Sequence, residues 1–178
     1  LVHRLDRDTS GLLVVAKRQE TLRALGIQMQ RRRIRREYRG LVCGVPAHPS
    51  GTIEGPIGRD PGNRLKFAIV GEGKPAVTHY ELRDAFKKHA ELVFRLETGR
   101  THQIRVHLAA IGHPIFNDPV YGRRDRRTEL PGQALHAWRL AFRHPHTGVS
   151  LDFESPPPTA YADTVVTLSG ANAVEGRE

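Results

Sequence analysis

Strand-length segments dominate this chain. Residues 11–16, 38–43, 77–82, 92–96, 135–142 and 149–153 are short apolar or alternating runs, closed by glycine, proline or charge, and each predicts a β-strand. Only two segments carry helical spacing. Residues 19–32 place Leu22, Leu25 and Met29 on one stripe, and residues 101–111 place Ile104, Leu108 and Ile111 on another. Thr101 is the expected cap of the second helix, and Gly112 with Pro114 its stop. Residues 45–75, rich in glycine and proline, read as loops and short hairpins, and Lys87-Lys88-His89 as the turn of an antiparallel pair. Pro156-Pro157-Pro158 ends the pattern, and the last dozen residues read as frayed. The expectation is an α+β domain, rich in hairpins and poor in helices.

Length and charge narrow the class. At 178 residues the chain suits one domain. No apolar run approaches the roughly 20 residues of a membrane-spanning helix, and no signal peptide pattern is visible. The single cysteine, Cys43, rules out a disulfide within the chain and a cysteine-based zinc site. The formal net charge is +9, and it is uneven: residues 1–39 hold 11 Lys/Arg against 4 Asp/Glu, the other 139 residues 17 against 15. A local positive field of this kind suits a polyanion such as nucleic acid, or simply a solvated basic face.

Three segments carry chemistry. The first, His3-Arg4-Leu5-Asp6-Arg7-Asp8-Thr9-Ser10-Gly11, sets two carboxylates among arginines just before an apolar run. A carboxylate beside Arg⁺ stays ionised and can serve as nucleophile or base, although charge spacing alone equally describes a surface turn. In the second, Arg31-Arg32-Arg33-Ile34-Arg35-Arg36-Glu37-Tyr38, five arginines in six residues could bind phosphates and the tyrosine could stack on a base. A solvated helix end with a core tyrosine is the plainer reading. In the third, Thr98 to His107, a glycine turn leads into a helix N-terminus where Arg100, His102 and Gln103 cluster and Arg105 follows one turn beyond Thr101. His102 and His107 do not have zincin spacing, and His144 and His146 read as turn residues rather than metal ligands.

Together these segments resemble the RluA family of RNA pseudouridine synthases. HRLDRDTSGLLVVAK is similar to the family's signature around its catalytic aspartate. RREYRGLVCG resembles its second motif, LETGRTHQIRVHLAAIGHPIFNDPVYG its third, and LHAWRLAFRHPHTG the following segment, in the family's order over about residues 1–158. Two departures stand out: Asn117 occupies a position usually held by glycine, and Phe67 one where methionine is common.

The resemblance implies the pseudouridine synthase catalytic fold, with a mixed, mostly antiparallel sheet and a few flanking helices. The domain would occupy residues 1–178, incomplete at its N-terminus, with a C-terminal tail from about 159; a preceding S4-like domain, present in many members, is not in this chain. Asp6 matches the catalytic aspartate, Tyr38 the active-site tyrosine that packs on the target base and assists proton removal, and Arg105 the arginine paired with the aspartate. Leu135 matches an apolar residue beside the base, and Arg4, Arg100, His102 and Gln103 are supporting or RNA-contacting neighbours. The implied reaction isomerises uridine in RNA with no metal and no organic cofactor. Large-subunit rRNA is the expected partner and tRNA the second choice, for a monomeric cytoplasmic protein without a membrane. A non-catalytic RNA-binding fragment is the alternative.

Overall fold

The structure is a computed structural model that describes residues 1–170. Seven strands form one sheet in the order β1-β8-β2-β7-β6-β3, with β9 added to β8. These are β1 (Ser10–Gly11), β2 (Arg35–Cys43), β3 (Ser50–Glu54), β6 (Val77–Ala85), β7 (His89–Leu96), β8 (Leu135–Arg143) and β9 (Ser150–Glu154). All pairings are antiparallel except that of β1 with β8. β4 (Ile57–Arg59) and β5 (Phe67–Ile69) make a separate hairpin inside the glycine- and proline-rich stretch. The helices are α1 (Gln19–Gln30), α2 (Gln103–Ala110) and α3 (Thr159–Gly170). None of them is long and apolar enough to cross a membrane.

β2 is the central strand. Leu41 and Val42 point to opposite faces, yet both are fully buried, so both faces of the sheet are covered here. The larger core gathers Leu41, Val42, Leu92 and Phe94 with Leu108 of α2, Ile115 and Tyr161 of α3. A smaller cluster sets Leu25 of α1 against Ile34 and Leu140. Between Glu37 and Tyr38 the β2–β8 register shifts and leaves Trp138 unmatched, a bulge that raises the local twist.

Three expectations need correction. Residues 11–16 do not form a buried strand. Only Ser10–Gly11 pairs, and Leu12 to Ala16 run extended with Leu12, Val14 and Ala16 on the small cluster and Leu13 and Val15 exposed. The alternation is strand-like, but no neighbouring strand completes a ladder. The second helix begins two residues late. His102 sits in its N-cap position at φ 56° with no side-chain cap, and Ile111 lies past its end, exposed. Residues 159–170, expected as tail, form α3, whose Tyr161, Thr164 and Leu168 are buried. The Tyr161 hydroxyl donates to Glu91 (3.0 Å), the same buried carboxylate that Arg39 and Arg83 pair with. The remainder of the expected tail lies outside the described residues.

Gly11 is where β1 meets β8. Its φ is +107°, and a Cβ there would lie 2.2 Å from the Ala137 carbonyl oxygen. Gly11→Ala is therefore expected to destabilise the fold by at least about 2 kcal/mol, read as a lower urea midpoint. An unchanged midpoint would mean that this crossing does not hold the N-terminal segment.

Candidate active site

Asp6 lies in a tight turn on the N-terminal side of β1. The Thr9 N–H donates to the Asp6 carbonyl (3.1 Å), and Asp8 takes the left-handed conformation at φ 65°. Gln133, just ahead of β8, clamps the turn from outside by donating to the Arg7 carbonyl (2.6 Å) and to the Thr9 hydroxyl (2.9 Å). Gly132 lies so close to Asp8 that a Cβ would come within 2.6 Å of it. The turn that follows Asp6 is thus held by the segment ahead of β8.

Its carboxylate meets Arg105, two residues into α2. Arg105 donates through Nη1 to Asp6 Oδ2 (3.3 Å), through Nε to Asp118 Oδ2 (2.7 Å) and through Nη2 to Asp118 Oδ1 (2.9 Å). It is 3% exposed and Asp118 is fully buried, whereas the Asp6 side chain keeps 14% of its surface. Asp118 also accepts the N–H groups of Val120 (2.8 Å) and Tyr121 (3.1 Å). Burial alone would raise its pKa, but the Arg105 hydrogen bonds and charge, with those two backbone donors, hold it below the usual carboxylate range. For Arg105 too burial is outweighed, here by Asp118 and then Asp6, and its pKa is raised. One guanidinium therefore serves two carboxylates, one locked by a two-pronged ion pair, the other held by a single longer bond at a surface.

That surface is a cleft of about 490 Å³, within the range of small-molecule sites, roughly 300–1,000 Å³. Asp6, Tyr38 and Leu135 line it together. Tyr38 is 6% exposed, and its hydroxyl makes no hydrogen bond among the described residues. Burial pushes its pKa up, against a smaller opposing effect of Arg36, so the phenol is neutral at neutral pH. Arg105 lies behind Asp6 rather than on the cleft surface.

The remaining expected residues also border the cleft, in different states. Arg4 is exposed and its side chain makes no hydrogen bond or ion pair among the described residues, and the exposed Arg100 side chain donates through Nε to the Pro75 carbonyl (3.0 Å). His102 packs edge-on between Phe67 and Tyr121, with its Nδ1 2.9 Å from the Tyr121 hydroxyl. That hydroxyl accepts the Phe67 N–H (3.0 Å), which leaves its own hydrogen for Nδ1. Burial lowers the His102 pKa, with the charge of Asp6 opposing, so the ring favours its neutral form. Gln103 is different. Its amide oxygen accepts from the Thr98 hydroxyl and the Arg100 N–H, and its nitrogen donates to the Val77 carbonyl and the Thr78 hydroxyl. With every amide group engaged inside the protein, it shapes the 98–102 loop and has no donor left for a ligand.

Sequence reasoning missed Asp118 and Tyr121. The signal was present: a lone acidic residue between Asn117 and Pro119, three before an aromatic, in a chain whose arginines outnumber its acidic residues. Tyr121 lies under the Arg105 guanidinium, 5.2 Å from carbon to ring centre. Asn117 earns its place over glycine. It adopts φ 59°, and its amide ties down the 123–132 loop by donating to the Leu130 and Gly132 carbonyls and accepting the Asp125 N–H. Phe67 packs its ring on His102.

A family model described as RNA pseudouridylate synthase matches residues 1–110. An uncharacterized RNA pseudouridine synthase of Chloroflexus aurantiacus is 52% identical over 168 residues, 94% of this chain and 52% of the relative. The ribosomal large subunit pseudouridine synthase D of Nitrosomonas europaea is 51% identical, covering 89% of this chain and 48% of its own, and that of Escherichia coli is 45% identical, covering 94% and 55%. The chain thus spans about half the length of these curated relatives. Among solved structures, human RNA pseudouridylate synthase domain containing 1 superposes with a TM-score of 0.77 at 26% identity, over 96% of this chain and 79% of that one.

Removing the carboxylate of Asp118 strands a buried cation, so Asp118→Asn is expected to cost about 3 kcal/mol of stability, the low end for a broken buried pair because Asp6 remains. The depressed pKa of Asp118 means its contribution is complete above the ordinary carboxylate value of about 4 and is lost as pH falls below it. Urea unfolding between neutral and acid pH should show that acid-side decline flattened in the variant. Equal pH slopes in both proteins would contradict the assigned role of this pair.

Proposed function

The chain belongs to the RNA pseudouridylate synthase family, and from that premise we propose that it isomerises uridine to pseudouridine within RNA, with Asp6 as the residue that carries the chemistry. The supporting observation is the meeting of an arginine-held carboxylate, a buried phenol and an apolar side chain at one cleft. In the reaction the N1–C1′ bond breaks, the base turns, C5 joins C1′, C5 loses its proton and N1 gains one. Uracil stacked in RNA cannot meet Asp6, so the nucleotide is flipped out into the cleft, with Leu135 and Tyr38 as walls. Asp6 then acts either by attack on the sugar or base or by assisting an elimination. Arg105 holds its carboxylate aimed through the Nη1 hydrogen bond.

Tyr38 works as a neutral phenol. Burial disfavours phenolate, which suits a wall of the base pocket better than a standing base. Arg4 and Arg100, exposed at the cleft, and the exposed Arg31 and Arg33 beyond it supply positive charge for the RNA backbone. His102 backs Asp6 from the α2 N-terminus, and Gln103 holds the loop that carries Arg100. The names of the Nitrosomonas and Escherichia relatives support large-subunit rRNA as the substrate.

Asp6→Asn should lower tritium release from RNA containing 5-tritiated uridine by about 10³-fold or more, with RNA binding retained. Undiminished release would remove Asp6 from the mechanism. Tyr38→Phe separates wall from base: the wall reading expects a loss well short of the roughly 10²–10⁴-fold that deleting a general base brings.

A further inference from the structure

The arginine tract before β2 is not one surface. Arg32 pairs with Glu97 and Arg35 with Glu37, while Arg31 and Arg33 are exposed. Arg36 differs from all of these. It lies two residues before Tyr38, on the same face of β2, and borders the same cleft. It is 8% exposed, its Nε is buried without a hydrogen-bond partner, and no carboxylate forms an ion pair with it among the described residues. Among the described residues its side chain makes one hydrogen bond, from Nη2 to the Thr98 carbonyl at 3.3 Å. Gly99 lies over it so closely that a Cβ would fall 2.7 Å from Nη1. Glu97, the carboxylate next to this loop, is already engaged by Arg32 and His79.

A desolvated guanidinium with no counter-charge is costly, and its pKa falls accordingly, chiefly through burial. Its neighbour His3 repeats the theme. That imidazole accepts the Val14 N–H at Nε2 (3.2 Å), and its buried Nδ1 has no hydrogen-bond partner. Burial first, then the charge of Arg36, lower its pKa to about 4, with the Arg4 backbone opposing, so His3 is a neutral neighbour of Arg36.

We propose that Arg36, roofed by Gly99 and backed by His3, is the binding site for a single phosphodiester of the RNA strand, whose charge completes an ion pair the protein leaves open. The inference rests on the RNA-directed function above and adds to it a discrete anion subsite beside the base pocket. It separates Arg36 from the exposed arginines: those attract RNA over distance, whereas Arg36 holds one phosphate where the flipped nucleotide leaves the strand. Because its cost of burial is already met in the fold, the cation is pre-organised for that phosphate.

Inorganic phosphate is the probe. Titrated into the wild-type chain at constant ionic strength and followed by histidine ¹⁵N NMR, it should saturably shift His3, raise that ring's pKa from about 4 and leave His146 unmoved. In Arg36→Met the response should vanish. For a single-stranded RNA oligonucleotide, the slope of log affinity against log salt should become shallower by about 0.7 in Arg36→Met and stay near wild type in Arg36→Lys. If Arg36→Met does not fold, the wild-type titration decides alone. A His3 that ignores phosphate in the folded protein overturns the subsite, as does an unchanged salt slope in folded Arg36→Met. A His3 response with no tritium release from RNA would fault the proposed function and leave the subsite standing.

Discussion

One guanidinium organises the centre of this protein. Arg105 has three donor nitrogens directed at carboxylates, and Asp118 takes two of them. Asp118 is itself fixed by the backbone of the turn that follows it, so it acts as a rigid socket. Arg105 is therefore oriented before Asp6 arrives, and only Nη1 remains for it. A carboxylate held by one longer bond, partly open to a cleft, keeps lone pairs available. A carboxylate in the two-pronged position would not. The division of labour between the two aspartates follows from which has surface left.

The sheet brings the other parts to that point. β2 carries Arg36 and Tyr38 on one face, and the bulge at Trp138 adjusts β8 next to Ala137, which lies opposite Tyr38, with Leu135 opposite Gly40. β1 crosses β8 through a glycine that admits no side chain, which fixes the exit of the Asp6 turn. α2 delivers Arg105 from below, and its unusual left-handed start at His102 is braced by Gln103 and by the Phe67 and Tyr121 rings. Strands supply the walls, turns the reactive carboxylate, and a helix its counter-ion.

Much of this was legible in the sequence, for reasons that can be named. Residues 77–82 and 92–96 are short strand-like runs on either side of a polar turn, and they pair antiparallel in β6 and β7. The family motifs pointed to Asp6, Tyr38 and Leu135, which line one cleft, and to Arg105, which lies behind Asp6. What stayed hidden were effects decided by partners distant in sequence. Residues 12–16 look like a strand and lack a neighbour to pair with. Asp118 looks like one more turn aspartate until Arg105 is seen above it. Residues 159–170 have a weak apolar pattern, yet Tyr161 reaches a buried Glu91 that local pattern could not foresee. Gln103 reads as either a supporting or an RNA-contacting residue, and the choice between them depends on four partners in two other segments, which occupy its amide.

The central claim is that a flipped uridine meets Asp6 inside this cleft. The direct measurement is a crystal structure of the protein with RNA carrying 5-fluorouridine at the target position, where fluorine replaces the hydrogen that must leave C5. The account requires the modified nucleotide out of its stack, its ring against Tyr38 and Leu135, and its sugar beside the Asp6 carboxylate while Arg105 still bridges both aspartates. A complex in which that nucleotide remains stacked in the RNA, or lodges elsewhere with the cleft open, would contradict it.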